Sequence, residues 1–386
     1  MVRRTSGVEF RAVARVGIGA ASLLAAILAV SGTSAAANPV HPWFVWLHMT
    51  NANDGYALSG KDYRRYLLLR TSDGGRVWQD ITPGGGRIHP NGPPDVQGTT
   101  ILFTRSVGHR AFAVERSNDG GRTWSESLPF RNRHGLGAGT PRFVDREHLY
   151  LEVGEGVAAG SEGEALYTSS DGGRHWHLVS QTHVNGTGPA QLPFGCDKNG
   201  FGFATPSRGW AGGYCAGGPP FLYRTNDGGR HWRLQGLPGA PRNCSCDTSA
   251  PVFFSRRIGV IWTSGVSNAR AAKPFARVYW TADGGNHWRA SNPTSGRTGS
   301  VDVVSRTVVW LFGRLAGNEP RFPRLFRTTD AGRHWRSLHV PVRVSSDGLP
   351  DGVNATLGFA TSGPVVWRTA DGGLHWTTIH AVIGNR

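Results

Sequence analysis

Short apolar runs rich in β-branched and aromatic residues alternate with glycine-rich turns along most of the chain. Runs such as YLLLRT, FAVERS, ALYTSS, FLYRTN, RVYWTA, RLFRTT and VVWRTA read as strands. No stretch sustains a period of 3.6, so the pattern predicts an all-β protein.

The turns repeat. One octapeptide occurs seven times, from TSDGGRVW at the first to TADGGLHW at the last. Its aspartates are Asp73, Asp119, Asp171, Asp227, Asp283, Asp330 and Asp371. Its second glycines are Gly75, Gly121, Gly173, Gly229, Gly285, Gly332 and Gly373, and its tryptophans Trp78, Trp124, Trp176, Trp232, Trp288, Trp335 and Trp376. The aspartates lie 41 to 56 residues apart, close to one four-stranded propeller blade. An Asp carboxylate accepts N–H groups of its own turn, and the leading Ser or Thr offers a hydroxyl to it. The second glycine takes the positive φ of a tight hairpin, and the tryptophan buries its ring at the start of the next strand. The first glycine is Ala331 in the sixth copy, whereas the second never changes. Most copies also carry an upstream strand pair, as in FVWLHMT-NAND-GYALSG. Each unit thus reads strand A, turn, strand B, loop, strand C, repeat turn, strand D. Residues 38–386 are expected to form a seven-bladed β-propeller with this turn in each blade. Strand A of blade seven, near residues 342–345, is the weakest, and ring closure is not readable.

The motif Ser/Thr-x-Asp-x-Gly-x-x-Trp resembles the Asp box, or BNR repeat, of sialidases and related propellers. The fuller unit, with GYAL or GWAG before LYRTNDGGRHW, is similar to the BNR-repeat proteins related to the photosystem II assembly and stability factor. The resemblance covers about residues 44 to 379. It implies a structural box in the peripheral turn between the third and fourth strands, and leaves activity to the site. The sialidase catalytic pattern is incomplete: Arg87-Ile88-His89-Pro90 has an inserted histidine and follows the first box, and no Arg-Ile-Pro stands before Asp73. Tyr150, between Glu147 and Glu152, is the nearest candidate nucleophile, although strand alternation reads it as a packing residue. A glycosidase needs two carboxylates, which Asp145, Glu147, Glu152 and Glu155 could supply, as could any solvated hairpin.

Composition adds 55 glycines, 14 tryptophans and a formal charge of +16 carried almost wholly by arginine. That charge fits either a polyanionic partner or a coding bias toward arginine, and the even spread favours the second. No nucleic-acid motif is present, so no such partner is expected. His175, His231, His287, His334 and His375 precede five box tryptophans, but different blades hold them too far apart to share an ion. No metal and no cofactor is expected.

At the N-terminus, Arg3, Arg4, Arg11 and Arg15 precede an apolar stretch at residues 16–30 that ends in small residues. This reads as a signal peptide over residues 1–37, implying an exported, secreted or envelope-associated bacterial protein without a membrane span in the mature chain. The long loops fall on the face opposite the boxes, at residues 83–98, 129–140, 154–164, 181–195, 264–277 and 313–324. Arg87, His89, Arg131, Arg133, His134, Arg270, Lys273, Arg314, Arg321 and Arg324 lie there, predicting an electropositive mouth for an acidic partner. Cys196, Cys215, Cys244 and Cys246 fall on that face, the last two in the loop entering blade five, and read as two disulfides, each joining one of the first pair to one of the second. The expectation is a monomeric, non-catalytic scaffold for a protein or an anionic cell-envelope glycan. The alternative is a secreted sialidase-like glycoside hydrolase.

Overall fold

A computed structural model describes residues 40–61, 65–132, 137–158, 161–183, 186–187, 196–215, 219–240, 244–267, 274–294, 296–315, 324–340 and 351–384. The segment read as a signal peptide lies outside the described residues. Seven antiparallel sheets follow one another along the chain and form a seven-bladed β-propeller. Blade one shows the plan: β1 (Phe44–Met49), β2 (Gly55–Ser59), β3 (Leu67–Thr71) and β4 (Val77–Asp80) pair in sequence order.

Each repeat turn connects the third and fourth strands and is closed by its own side chains. In blade one the Thr71 hydroxyl donates to Asp73 Oδ1 at 2.9 Å and accepts the Gly75 N–H at 3.1 Å. Asp73 Oδ1 also accepts the N–H groups of Arg76 and Val77, each at 3.0 Å. The Trp78 indole N–H returns to the Gly75 carbonyl at 2.9 Å. The hydroxyl–carboxylate pair recurs in the other six boxes.

The first glycine is where ties within and between blades meet. Its N–H donates to the A–B turn of its own blade, as Gly172 to Glu147 at 2.8 Å and Gly372 to Thr356 at 2.6 Å. Its carbonyl can then accept from the preceding blade: Arg116 Nη1 reaches Gly172 at 2.5 Å, and Arg327 Nη1 reaches Gly372 at 2.9 Å. A Cβ at Gly172 would stand 2.9 Å from Arg116 Nη1, and one at Gly372 would overlap Arg327. Ala331 escapes this because the preceding blade carries Trp280 where the others mostly carry arginine; its φ of 61° is otherwise ordinary for the site. The second glycine is excluded for a different reason. A Cβ at Gly229 would strike Leu166 and one at Gly285 would strike Trp210, both within the interface between blades.

Seven apolar clusters fill those interfaces, and each contains the later blade's box tryptophan. Trp78, fully buried, packs against Leu357, Phe359 and Val366 of blade seven. The ring closes there. Strand Val382–Ile383 pairs in parallel with β4, Val40 bridges Ile383, and the Phe44 N–H donates to Gly363 at 3.0 Å.

Three sequence expectations change. The inner strand of blade seven is Asp351–Gly352, and residues 342–345 lie outside the described residues. Residues 154–164 are mostly hairpin rather than loop, because Leu149–Ala158 and Ser161–Ser169 stay paired through a bulge at Gly154 and Gly156. Residues 244–248 form a strand that pairs with Gly259–Ser267, where a loop was expected.

Two substitutions at the same box position separate backbone strain from the tie between blades. Gly228 faces no arginine, so Gly228→Ala should cost about 1–2 kcal/mol, the penalty of a left-handed non-glycine residue. Gly372→Ala should cost about 2 kcal/mol more, because it also displaces the charge-assisted bonds of Arg327. Denaturant unfolding of the two variants checks the ordering.

Candidate functional site

Around the axis, one register position of the innermost strands carries polar groups that join neighbouring blades. His48 Nδ1 lies 3.2 Å from Asp351 Oδ1, and the Met49 N–H donates to Asp351 Oδ2 at 2.5 Å, joining blades one and seven. The Gly352 N–H donates to Asp302, joining blades seven and six. Arg142 Nη1 lies 3.6 Å from Asp95 Oδ1, joining blades three and two. Burial pushes the Asp95 carboxyl upward, while Arg142 and the Phe143 N–H oppose it. Blades four and five carry Gly202 and Val252 at this position, with no charge to pair.

On that side of the axis lies a cavity of about 570 Å³, bordered by the first strands of blades two to five. Its wall from blade three is acidic. Glu164 stands opposite Gly154 in the hairpin and Glu162 opposite Val157, so Glu152, Gly154, Glu162 and Glu164 share one sheet face. Gly154 has no side chain, which leaves room above Glu164. Burial drives the Glu164 carboxyl well above its ordinary range, and the charge of Glu152 pushes the same way. Glu162 is raised by burial first and then by Glu152 and Asp197. The nearby cation is Lys198 of blade four, whose ammonium donates to the carbonyls of Glu162 at 2.7 Å and Cys196 at 3.1 Å. Burial lowers its pKa against the pull of Glu164 and its neighbours.

The described side chains of the expected basic mouth do not line this cavity. Arg87, His89 and Arg131 are exposed and Arg324 is half-buried; none of these four lines the cavity. Arg314 lies in strand Val309–Leu315, while Arg133, His134, Arg270, Lys273 and Arg321 lie outside the described residues. Of the four carboxylates considered for hydrolysis, only Glu152 reaches the cavity. Asp145 accepts the N–H groups of Glu147 and His148 at 3.0 and 2.8 Å in the A–B turn, and Glu155 is buried against Asn132. The Tyr150 hydroxyl donates to the Phe201 carbonyl at 2.8 Å, and its ring centroid lies 4.9 Å from that of Phe203. Glu162 and Glu164 were missed because their segment was read as a loop; carrying the alternation SEGEALYT through it would have placed both on one face.

The cysteines pair differently from the expectation. Cys196 bonds Cys215 and Cys244 bonds Cys246, with Cα separations of 4.3 and 5.3 Å. The register Asp197↔Tyr214 brings the first pair together at adjoining strand ends, and the second pair shares one side of one strand. The five repeated histidines each pair with their own box aspartate, at 2.5 to 2.7 Å. Among the described residues no group of three or more His, Cys, Asp or Glu could hold a metal ion. Among them too, no helix is long and apolar enough to cross a membrane.

No protein-family profile matches the chain, and no curated protein does. Solved structures match by fold. A GH74 xyloglucanase from Xanthomonas campestris aligns over 90% of this chain at 17% identity with a TM-score of 0.53. A prolyl endopeptidase structure aligns over 89% at 13% identity with a TM-score of 0.52. The chain spans about half of each, 55% and 51% respectively. YCF48 bound to a D1 peptide aligns over 90% of this chain and 94% of its own, at 15% identity and a TM-score of 0.46. The likeness to the first two, at these identities, shows the fold alone.

The boxes set an acid limit on stability. Burial tends to raise Asp227, Asp283 and Asp330, but the adjoining amide, histidine ring and hydroxyl outweigh it and hold each at about 2. An unfolded aspartate titrates near 3.9, so the folded chain binds fewer protons in this window. The stabilisation is therefore complete above about pH 4 and is lost as pH falls toward 2. The thermal midpoint should drop across that window, and Asp330→Asn should make the drop shallower, as followed by circular dichroism.

Proposed function

We propose that this chain is an exported, non-catalytic binding propeller, a scaffold whose partner docks over the cavity bordered by blades two to five. The observation that carries this reading is the cavity itself, set into a rigid ring whose other six-seven-one side is tied shut by His48, Asp302 and Asp351. Partners of two kinds fit the sequence, a protein or an anionic cell-envelope glycan. The carboxyl groups of the cavity wall favour the protein, because they repel an anionic sugar and attract basic side chains. Export is supported by the arginine-flanked apolar segment at residues 16–30 and by two disulfides.

A second reading, a glycoside hydrolase, draws on the same convergence of Glu152, Glu162 and Glu164.

The full chain should be screened for binding and turnover against peptide and glycan arrays, the latter including sialosides and neutral and acidic glycans. A Cβ at Gly137 meets nothing within 4 Å, so Gly137→Trp should fill the cavity without disturbing the ring. Binding without turnover, lost in Gly137→Trp, is the expected result. Turnover abolished by Glu152→Gln would make the protein a hydrolase, and binding indifferent to Gly137→Trp would move the site elsewhere.

A further inference from the structure

The blade-three wall holds more acid than its surroundings neutralise. Glu164 is only 2% exposed, and its Oε2 receives no hydrogen bond from any described residue although the side chain lines the cavity. A buried carboxyl oxygen in that state costs free energy unless a donor is supplied from elsewhere. Its neighbours do not supply one. Glu152 and Glu162 share its face, and Asp197 adds a further acid nearby. Lys198 is occupied by two backbone carbonyls, and Arg142 is drawn to Asp95. Four carboxyl groups and one guanidinium therefore line the cavity; Arg142 faces Asp95, and the three glutamates have only Lys198 beside them among the described residues. Trp262 of blade five also lines the cavity, and an indole ring attracts a cation.

We propose that this cavity takes a single organic cation, a guanidinium or primary ammonium group, held by Glu152, Glu162 and Glu164. The cation supplies the donors that Glu164 lacks and offsets the crowding of like charges on the wall. A guanidinium fits best, because its planar fork of donors meets two carboxyl groups at once. This inference rests on the binding reading above and specifies what enters the cavity. It also reconciles a strongly basic chain with an acidic centre: a partner is selected by the one cation it inserts, not by bulk charge.

The test uses the full chain and four small probes in calorimetric titration: arginine amide, lysine amide, glucosamine and the neutral isostere citrulline amide, the three amino-acid amides all acetylated at the α-nitrogen so that only the side chain can carry charge. Arginine amide should bind saturably, and citrulline amide at least tenfold more weakly. Lysine amide binding supports a peptide ammonium as a second source of the cation, and glucosamine binding supports an amino sugar as another. Glu164→Gln should weaken arginine amide at least tenfold. Its thermal midpoint should not fall, because an uncharged amide replaces a buried acid. Equal binding of arginine and citrulline amides, or arginine amide binding unchanged in both Glu164→Gln and Glu162→Gln, would overturn the proposal. Failure to bind any cation would do the same, yet would leave the scaffold reading intact if an array ligand were still lost in Gly137→Trp.

Discussion

Everything in this ring depends on a turn that satisfies itself. An aspartate and a hydroxyl two residues before it gather the backbone donors of a hairpin. The turn then has one N–H and one carbonyl left to use, both on its first glycine position. The N–H anchors the turn to the inner hairpin of its own blade, and the carbonyl is open to the blade before it. A motif that looks local therefore fixes two distances at once, the span across a blade and the spacing between blades. The tryptophan completes the arrangement by placing an indole in the interface that this spacing creates.

This division of labour accounts for much of the arginine. Arg116 and Arg327 leave the surface to bond carbonyls of the next blade, and burial lowers the pKa of both, as expected for guanidinium groups drawn out of water. Arg208 does the same toward Gly284. A long-stemmed planar donor can cross the gap between sheets and still pack its methylene groups, which a lysine does less well. Part of the formal charge is thus structural, and net charge alone is a poor guide to what the protein binds.

The boxes, blade count and strand order were legible because they follow from short-range rules: which residues accept positive φ, which accept backbone N–H groups, and which alternate along a strand. What was hidden depended on pairing between distant segments. Ring closure rests on two residues, Val382 and Ile383, lying parallel to β4, too short a run to register as a pattern. The disulfides follow strand register, and the register of blade four sets Cys196 opposite Cys215. The acidic wall was hidden by its glycines. VGEGVAAGSEGE has the composition of a loop, yet Gly156, at φ 140°, and the bulge beside it let the hairpin continue.

The glycine opposite Glu164 is what makes the site. In a regular hairpin the residue opposite Glu164 would bear a side chain and cover it. Gly154 leaves that place vacant, and strand alternation sets Glu162 on the same face. Elsewhere around the axis the equivalent carboxylates are consumed by the ring: Asp351 by His48 and Met49, Asp302 by Gly352, Asp95 by Arg142. The carboxyls of blade three lie in its second and third strands, and the innermost register positions of the neighbouring blades four and five offer only glycine and valine. A ring that otherwise pairs its inner carboxylates has left one group of acids facing open space, and that asymmetry distinguishes a binding wall from the scaffold around it.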